Sequence, residues 1–583
     1  MVAGTFTLVA VVLWAISLPR VDASRVNGLG LISVIGPTFL VAVGCLNTAF
    51  VITVSSGRSR VLTAIQVACL VVMLYTVASI VEPEPAYFTA YLHAGFANYI
   101  ASHGTTLPLL DARFNWPGSF ALAAMVTRTT GIGDAVYLIR WAPLFFEVLS
   151  FAPLWVIVSS ATPVAAARWS AVWLFYLSNW VAQDFLSPQA VNFFLYLVVM
   201  ATLLHWLRRS AGEPRPGRLG QVRGWLAGDG GGEEVAGRRL QLSNFQRRAA
   251  LVCVVVIAAS ITVSHQATPI FLILSLAALV LSRRLSARRL PLLVGIMFLA
   301  YLSFGAEDFW RGHMNLLVGG LGRVGSNVSA NVGNRIKGSS LHRYIIYLRI
   351  ALPLSVLALA TFGFLRARAR GRRSGLWVVL ALAPWALVAF QSYGGEAVLR
   401  AYLFSLPFLC VLAVGGFPAA VESPGRSPKI AAGAAALALL SILSVGFIGA
   451  RYGNEQFEQV PSSELHAVQW VYAHAQRGSM MIAASRNLPW RYQQLDTYTY
   501  VPPDDAILSS SVTVISYMKT RSQAPFFIST NSQQVFGEEL YGLPPKWLDR
   551  LDRRLEQSGQ VKVVFREGDA RVYTLYGSMS ELP

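Results

Sequence analysis

Charged residues are scarce in this chain of 583 residues: they make up 13% of it, whereas hydrophobic residues make up 54% and the mean hydropathy is +0.51. Soluble domains carry about a quarter of charged residues, so this composition excludes a soluble globular protein. Apolar runs of roughly 17–22 residues recur along the chain, and as helices they match the thickness of a bilayer core. Open strands cannot cross lipid, because their backbone groups would stay unpaired, so the membrane part is predicted to be helical.

Cysteine is nearly absent, and internal repeats are not visible. The four cysteines, Cys45, Cys69, Cys253 and Cys410, lie singly within apolar runs. This placement excludes a disulfide framework and zinc-binding spacings, and it is typical of small core residues. The glycines of 228–232 follow no predicted strand, so we do not expect them to cradle a phosphate.

Run length predicts about thirteen membrane spans. The first run has no basic segment before it and no small-residue cleavage site, so it is interpreted as a retained helix and not as a signal peptide. The approximate limits of the spans are 3–19, 29–54, 61–81, 136–159, 166–181, 189–207, 249–264, 269–282, 290–305, 344–365, 375–391, 398–418 and 429–449.

The distribution of basic residues predicts the orientation. With the N-terminus in the cytoplasm, the inner loops hold 23 Lys and Arg residues and the outer loops between spans hold 10. The net charge of +19 therefore reflects membrane topology and anionic inner-leaflet lipid, and it does not indicate nucleic-acid binding. We expect a bacterial inner-membrane protein with an extracytoplasmic C-terminus.

The predicted organisation has a membrane domain over 1–449 and a soluble extracytoplasmic α/β domain over 450–583. Within the membrane domain, 82–135 forms the first large outer loop and 208–248 a flexible, basic cytoplasmic loop. The outer loop begins with an amphipathic helix over Tyr87–Ala101, which is expected to lie along the membrane interface. In the tail, the pattern predicts helices over 462–475 and 544–559, strands over 478–484 and 524–529, and a hairpin of 561–565 with 570–576.

Polar segments of unusual composition occur at one side of the membrane only. Each lies at an outer end of a span, whereas the inner loops hold only Arg-rich and Gly/Pro-rich linkers. We interpret this one-sidedness as the position of a functional site on the outer face. The segments are 82–85, 111–118, 183–189, 264–269, 307–310 and 393–400.

Acidic residues of these segments are the candidates for catalysis. Glu82 and Glu84 emerge directly from the third span, where a carboxylate can deprotonate a hydroxyl or hold a metal that does so; the alternative is solvated charges at a helix end. Asp111 is the third candidate. Asp184 precedes a helix with Ser187 as its cap, and it either contributes to the site, caps locally or pairs with an arginine.

Arg400 is the candidate for phosphate binding. A guanidinium at the membrane edge can grip a lipid phosphate with two hydrogen bonds, and the alternative is an i, i+4 ion pair with Glu396. His265 ends a span and is either a ligand-binding or a structural group. Other candidates for substrate binding are Gln266, Gln189, Trp116, Tyr87 and Tyr393.

At these residues the chain resembles the GT-C superfamily of integral-membrane glycosyltransferases, especially its actinobacterial-type members. The general layout is also similar, with many spans, a large first outer loop and an outer C-terminal domain. The resemblance implies a sugar donor linked to polyprenyl phosphate and an acidic base in the first outer loop, at Glu82 or Glu84. The matching stretches are 82–87 with the following helix, 111–118, 184–189, 265–269 and 393–400.

The expected function is transfer of a sugar from this lipid donor to an envelope polysaccharide or glycoconjugate on the outer face. Partners are then membrane lipid, the lipid-linked sugar and a glycan or glycolipid acceptor, without nucleic acid. The sequence leaves open whether a divalent metal such as Mg or Mn takes part, and which sugar is moved. Alternatives are a flippase for lipid-linked sugars, an envelope polymerase or ligase, and a non-catalytic scaffold.

Overall fold

The computed structural model describes residues 1–57, 59–209, 224–228, 242–311, 323–331, 333, 336–390, 395–415, 426–501, 507–520 and 524–577. Within these residues, eight helices are long and apolar enough to cross a membrane. They are Val2–Arg20, Pro37–Ser56, Ala142–Ser159, Pro188–His205, Asn244–Ser264, Ser340–Ala369, Ala397–Val414 and Ile430–Glu458.

Shorter apolar helices complete the bundle, and together with the long ones they coincide with the predicted apolar runs. This confirms a polytopic helical membrane protein. The shorter helices are Arg60–Tyr75, Thr268–Leu281, Leu290–Gly305 and Gly375–Phe390, together with Ala165–Ser178, which is largely buried among its neighbours.

The span predicted over 61–81 is interrupted. Its helix ends at Tyr75 and a short helix, Val77–Val81, follows. The Thr76 hydroxyl donates to the Val72 carbonyl at 2.7 Å, which competes with continued helical bonding. Arg140 then donates to the carbonyls of Ser79, Glu82 and Pro83, and so caps the end of the short helix.

Further helices form the loops and the C-terminal domain. They are Phe88–His103, Gly118–Thr130, Val324–Asn331, Glu455–Glu458, Ser462–His474, Ser511–Lys519, Asn531–Tyr541 and Trp547–Gln557. The last membrane helix itself runs over Arg426–Arg451.

The C-terminal domain contains one five-stranded sheet. Its strands are β1 (Met480–Ala483), β2 (Thr499–Val501), β3 (Phe526–Ser529), β4 (Val561–Glu567) and β5 (Ala570–Leu575), in the order β2-β1-β3-β5-β4. β1 pairs in parallel with β2 and β3, whereas β5 pairs antiparallel with β3 and β4. The predicted β4–β5 hairpin, the strands β1 and β3 and the helices Ser462–His474 and Trp547–Gln557 are thus confirmed; β2 and the helices Ser511–Lys519 and Asn531–Tyr541 were not predicted.

The first-loop helix Phe88–His103 packs beneath this domain. Ala90, Tyr91, Ala94 and Ala97 share a hydrophobic core with residues of the sheet. A side chain at Gly95 would collide with the Arg491 carbonyl, so glycine permits the close approach. The domain thus covers the apolar residues of this helix, and its position along the membrane interface stays a prediction.

Candidate active site

A cavity of about 920 Å³ lies between the C-terminal domain and the helix ends that face it. We call this end of the bundle the domain side. Three parts of the chain form the wall: the first loop, the domain-side ends of the membrane helices, and the C-terminal domain. Their polar or aromatic contributions are Tyr87, His93, Arg113 and Trp116 from the loop, Trp180, Gln189, His265, Gln266, Arg349, Glu396, Arg400, Arg451 and Glu458 from the helix ends, and Arg486, Phe536 and Tyr541 from the domain.

Arg400 connects three helix ends at the wall of this cavity. Its Nη1 donates to the Gln189 side-chain oxygen at 2.6 Å and lies 3.1 Å from His265 Nε2. Its Nη2 and Nε donate to one Glu396 oxygen at 2.7 Å and 3.2 Å. The predicted residues 189, 265, 396 and 400 therefore lie in contact, although they come from three separate stretches of the sequence.

His265 is a neutral neighbour of this arginine. Burial and the adjacent Arg400 charge lower the pKa of His265 well below its usual value. Its Nδ1 accepts from the Thr268 backbone N–H at 3.2 Å and lies 2.9 Å from the Thr268 hydroxyl, while Nε2 faces Arg400 Nη1. The histidine therefore contacts the guanidinium without adding a charge to the site.

Several buried donors at the cavity wall have no hydrogen-bond partner among the described residues. They include Gln189 Nε2, Trp116 Nε1, Trp180 Nε1, the Tyr87 hydroxyl, and Arg451 Nε and Nη1. Gln189 is 2% exposed and both tryptophans are 4% exposed. A buried donor without a partner costs about 1–3 kcal/mol, so this arrangement fits a ligand that brings acceptor oxygens.

The long helix Ser340–Ala369 supplies an elongated wall that changes in polarity. His342, Ile346, Arg349, Ile350, Pro353 and Leu354 line the cavity at helical spacing. This stripe covers about 18 Å at 1.5 Å per residue. It begins with polar side chains and ends with apolar ones, joined there by Trp385 and Val388, so one ligand can contact charge at one end and an apolar surface at the other.

Positive charge dominates the cavity. Arg113, Arg349, Arg400, Arg451 and Arg486 line it, against the two carboxylates Glu396 and Glu458 among the described residues. Arg349 lies with its guanidinium carbon 5.8 Å from the centre of the Trp180 ring. An enclosed site of this charge favours an anion.

The comparisons with known proteins concern the fold. No family model and no curated protein matches the chain. Similar solved structures include ArnT from Cupriavidus metallidurans bound to undecaprenyl phosphate, with 12% identity, a TM-score of 0.48 and coverage of 90% of this chain and 100% of that one. The same protein in the apo state has 11% identity, a TM-score of 0.46 and coverage of 88% and 97%.

An oligosaccharyltransferase of Archaeoglobus fulgidus, tethered with an acceptor peptide containing the NVT sequon, is also similar, with 10% identity and a TM-score of 0.47. The alignment covers 82% of this chain and 70% of that one. At such low identities and scores the chemistry has to be argued from the residues of this chain.

The predicted acids of the first loop do not line the cavity. Glu82 is 3% exposed and lies near Glu455, and burial raises the pKa of Glu82 above its usual value. Glu84 is partly buried and accepts from the Ser462 hydroxyl at 3.0 Å. The predicted site residue Tyr393 lies outside the described residues.

Asp111 acts on the cavity through Arg113. Arg113 donates to both carboxylate oxygens, from Nε and Nη2, at 2.8 Å each. Burial raises the pKa of Asp111, but the hydrogen bonds and charge of Arg113 outweigh it, so the pKa is lowered. The carboxylate is therefore ionised and directs Arg113 toward the cavity.

Asp184 forms an ion pair with an arginine, which is one of the alternatives predicted for it. Arg451 Nη2 donates to both of its oxygens at 2.9 Å, and both side chains are buried. The same guanidinium lies 4.6 Å from the centre of the Tyr75 ring. The pair joins the loop after Ala165–Ser178 to the last membrane helix.

Sequence reasoning missed a group at the start of the tail. Arg451, Asn454 and Glu458 line the cavity, but they follow the boundary at 449 that was assigned from apolar run length. Three polar residues within two turns after a long apolar helix are the signal that could have indicated them. Among the described residues, no group of three or more His, Cys, Asp or Glu side chains is arranged as metal ligands.

Proposed function

We propose that this chain is a membrane glycosyltransferase that moves a sugar from a polyprenyl-phosphate donor to an envelope polysaccharide or glycoconjugate. The observation that carries the proposal is the cationic cavity with an apolar extension, in which Arg400 is held by Gln189, His265 and Glu396. We place this cavity and the C-terminal domain outside the cytoplasm, as the distribution of basic residues predicts. The sequence resemblance to GT-C enzymes agrees with this function.

The donor phosphate lies at Arg400 in this proposal. The guanidinium provides charge-assisted hydrogen bonds, and the unpartnered Gln189 Nε2 adds a neutral one. When the sugar–phosphate bond breaks, the phosphate gains negative charge, and donors that are already fixed stabilise this charge without reorganisation. Arg400 therefore binds the donor and stabilises the leaving group.

The polyprenyl chain lies along the apolar part of the wall. Ile350, Pro353 and Leu354 continue the stripe that begins at Arg349, toward the membrane interior. Burying an isoprenoid chain against such residues is favourable by about 25 cal/mol per Å² of apolar area. The phosphate then remains at the polar end.

Packing below Arg400 favours transfer over transport. Phe404 lies one turn beyond Arg400 and stacks on Phe271, with ring centres 4.3 Å apart, while Tyr196 meets it edge-on at 4.7 Å. All three side chains are fully buried. A flippase needs a polar path across the bundle, and this buried aromatic layer fills the bundle one turn beyond Arg400 with apolar side chains.

Arg400→Ala in purified protein tests the proposal. The wild type should transfer sugar from a panel of synthetic polyprenyl-phosphate hexoses and pentoses, and the variant should lose about 10²–10³-fold in rate. Binding of undecaprenyl phosphate, followed by tryptophan fluorescence, should weaken in parallel. Arg343→Ala, which removes an exposed arginine at the same end of Ser340–Ala369, is the matched control.

The result that overturns the proposal is a wild-type protein that transfers no sugar from any donor of the panel. Equal rates for wild type and Arg400→Ala would also overturn it. Movement of intact lipid-linked sugar across vesicles, without transfer, would establish the flippase alternative instead.

A further inference from the structure

Two carboxylates line the cavity among the described residues, and they differ in what they contact. Glu396 accepts two hydrogen bonds from Arg400 and so balances the charge of the phosphate-binding group. Glu458 lies on the short helix Glu455–Glu458 that follows the last membrane helix, and it is partly exposed through the cavity. Its neighbours Glu455 and Glu82 are 0% and 3% exposed, and neither is among the residues that line the cavity.

The Glu458 side chain is held in place by a chain of hydrogen bonds. Asn454 Nδ2 donates to one carboxylate oxygen at 2.9 Å, and Asn454 Oδ1 accepts from Arg349 Nη1 at 2.8 Å. Arg349 is itself anchored by its Nε, which donates to the Ala450 carbonyl at 2.7 Å. Such supporting contacts keep a reacting group at a fixed position.

The main chain of Glu458 is fixed as well. Its carbonyl accepts from the Tyr87 N–H at 3.0 Å. Tyr87 has φ +71°, a conformation that is strained for a residue with a side chain. Its ring stacks on Phe185 at 5.3 Å. The structure thus maintains strain next to Glu458, which is typical of functional sites.

Charged groups on several elements surround Glu458. Burial raises the pKa of Glu458, whereas the charges of Arg349 and Arg451 and the hydrogen bond from Asn454 lower it. Glu82 and Glu455 are buried nearby, and burial raises the pKa of both. Glu458 therefore faces two cations and two acids that are held toward their neutral form.

His93 is another group at the cavity wall that could accept a proton. Its Nδ1 donates to the Leu186 carbonyl at 2.9 Å, which leaves a lone pair on Nε2. Burial and Arg113 lower the pKa of His93 to about 4. Protonation here would add a further cation to a cavity that already holds five arginines, whereas protonation of Glu458 adds none.

We infer that Glu458 is the general base that activates the acceptor hydroxyl, an inference that rests on the proposed function. The acceptor O–H gives its proton to a Glu458 oxygen as the acceptor oxygen forms a bond to the anomeric carbon. The bond from that carbon to the phosphate oxygen breaks, and its electron pair stays on the phosphate. The phosphodiester monoanion becomes a phosphomonoester dianion beside Arg400, while Glu458 becomes neutral, so the charge balances.

Glu458→Gln in the full-length purified protein tests this assignment. The transfer rate should fall by about 10²–10⁴-fold, the usual contribution of a general base, while binding of undecaprenyl phosphate stays as in the wild type. Glu84→Gln makes the same chemical change at a first-loop acid outside the cavity, and it should keep transfer. Glu567→Gln, at an exposed acid of β4, controls for the substitution itself.

Retention of transfer by Glu458→Gln would overturn the inference, as would loss of transfer in Glu84→Gln or His93→Gln alone. If Glu458→Gln fails to fold, Asn454→Ala decides: it keeps the carboxylate but removes its orienting donor, so kcat should fall with donor binding unchanged. No change in kcat in that variant would overturn the assignment. Loss of transfer in Arg400→Ala together with full transfer in Glu458→Gln would leave the proposed function standing and remove only the base.

Discussion

Arg400 and Arg451 lie at the domain-side ends of membrane helices, and both line the same cavity. Each of the two arginines pairs with a carboxylate. Arg451 and Asp184 have side chains that are 1% and 7% exposed, and one nitrogen serves both oxygens. Arg400 and Glu396 are 11% and 38% exposed, and Arg400 also contacts the neutral groups of Gln189 and His265. The same pair of functional groups thus occurs once fully desolvated and once open to the cavity.

The difference separates a structural from a functional use of the pair. In the Arg451 pair, aromatic rings of Tyr75, Phe447 and Tyr452 surround the guanidinium, whose Nε and Nη1 have no hydrogen-bond partner among the described residues. In the Arg400 pair, the neutral groups of Gln189 and His265 contact the guanidinium, and the unpartnered Gln189 Nε2 belongs to the same cluster. A phosphate reaches the second arrangement more readily because the Arg400 and Glu396 side chains are more exposed than those of Arg451 and Asp184.

Asp184→Asn should have the largest effect, on folding. Removing one partner of a buried ion pair leaves an uncompensated charge and costs about 3–5 kcal/mol. Thermal unfolding in detergent should show a strongly lowered midpoint or no folded protein. Asp22→Asn, which changes an exposed acid near the start of the chain, should leave the midpoint unaltered; an unchanged midpoint in Asp184→Asn would contradict the structural role of the pair.

Arg400→Lys should have the next largest effect, on function alone. Lysine keeps the charge but loses the fork that contacts Gln189 and Glu396 together, so binding of undecaprenyl phosphate should weaken about 10–100-fold. The melting temperature should stay close to that of the wild type, since the site is partly open to water. A variant that binds normally would show that charge alone suffices, and one that unfolds would make Arg400 equivalent to Arg451.

The sequence predicted the membrane bundle, the tail hairpin and the side on which the polar residues gather, because these follow from apolar run length, alternation and turn chemistry. It also indicated Arg400, Glu396, His265 and Gln189 as one site, since each ends a span at the same face. The sequence did not predict which side chains form pairs across the bundle. Nothing local in Asp184 or Arg451 distinguishes the partner at 267 residues' separation from any other.

The proposed base, Glu458, was also not identified from the sequence. Glu82 and Glu84 have the composition and position of a catalytic segment, but neither is among the residues that line the cavity. Glu458 reaches that wall because a turn follows Arg451 and starts a new short helix. The boundary that run length placed at 449 assigns Arg400 and Glu458 to different domains, although both line the same cavity.

Glu464 offers a test of a buried acid in the C-terminal domain. Burial raises the pKa of Glu464 to about 7, although hydrogen bonds from Ser532 and Thr530 oppose this. The folded state therefore binds the proton more tightly than the unfolded state, whose value is near 4.5. Its contribution to stability is complete below pH 4.5 and is lost as the pH rises through about 7.

The expected slope is at most about 1.4 kcal/mol per pH unit over that window. It is measured as the change in the unfolding midpoint of wild type with pH, against Glu464→Gln, which should lack this component. Parallel pH curves for wild type and Glu464→Gln would show that the carboxyl is ionised in the folded domain.

Gln189→Met should have the smallest effect. It should weaken lipid binding without lowering the thermal stability. Methionine has a similar volume and removes both the acceptor for Arg400 and the unpartnered donor at Nε2. Binding of undecaprenyl phosphate should weaken about fivefold to tenfold, the value of one hydrogen bond, while the thermal midpoint stays equal or rises, because a buried group without a partner is gone. Gln66→Met is the matched control. The buried Gln66 side chain donates to Thr7 and Thr53 within the bundle and does not line the cavity. This variant should be less stable than the wild type but should bind the lipid as tightly. A stabilised Gln189→Met that binds the lipid as tightly as the wild type would mean that the donors around Arg400 are not kept for a phosphate, and the contrast with Arg451 would then be one of exposure only.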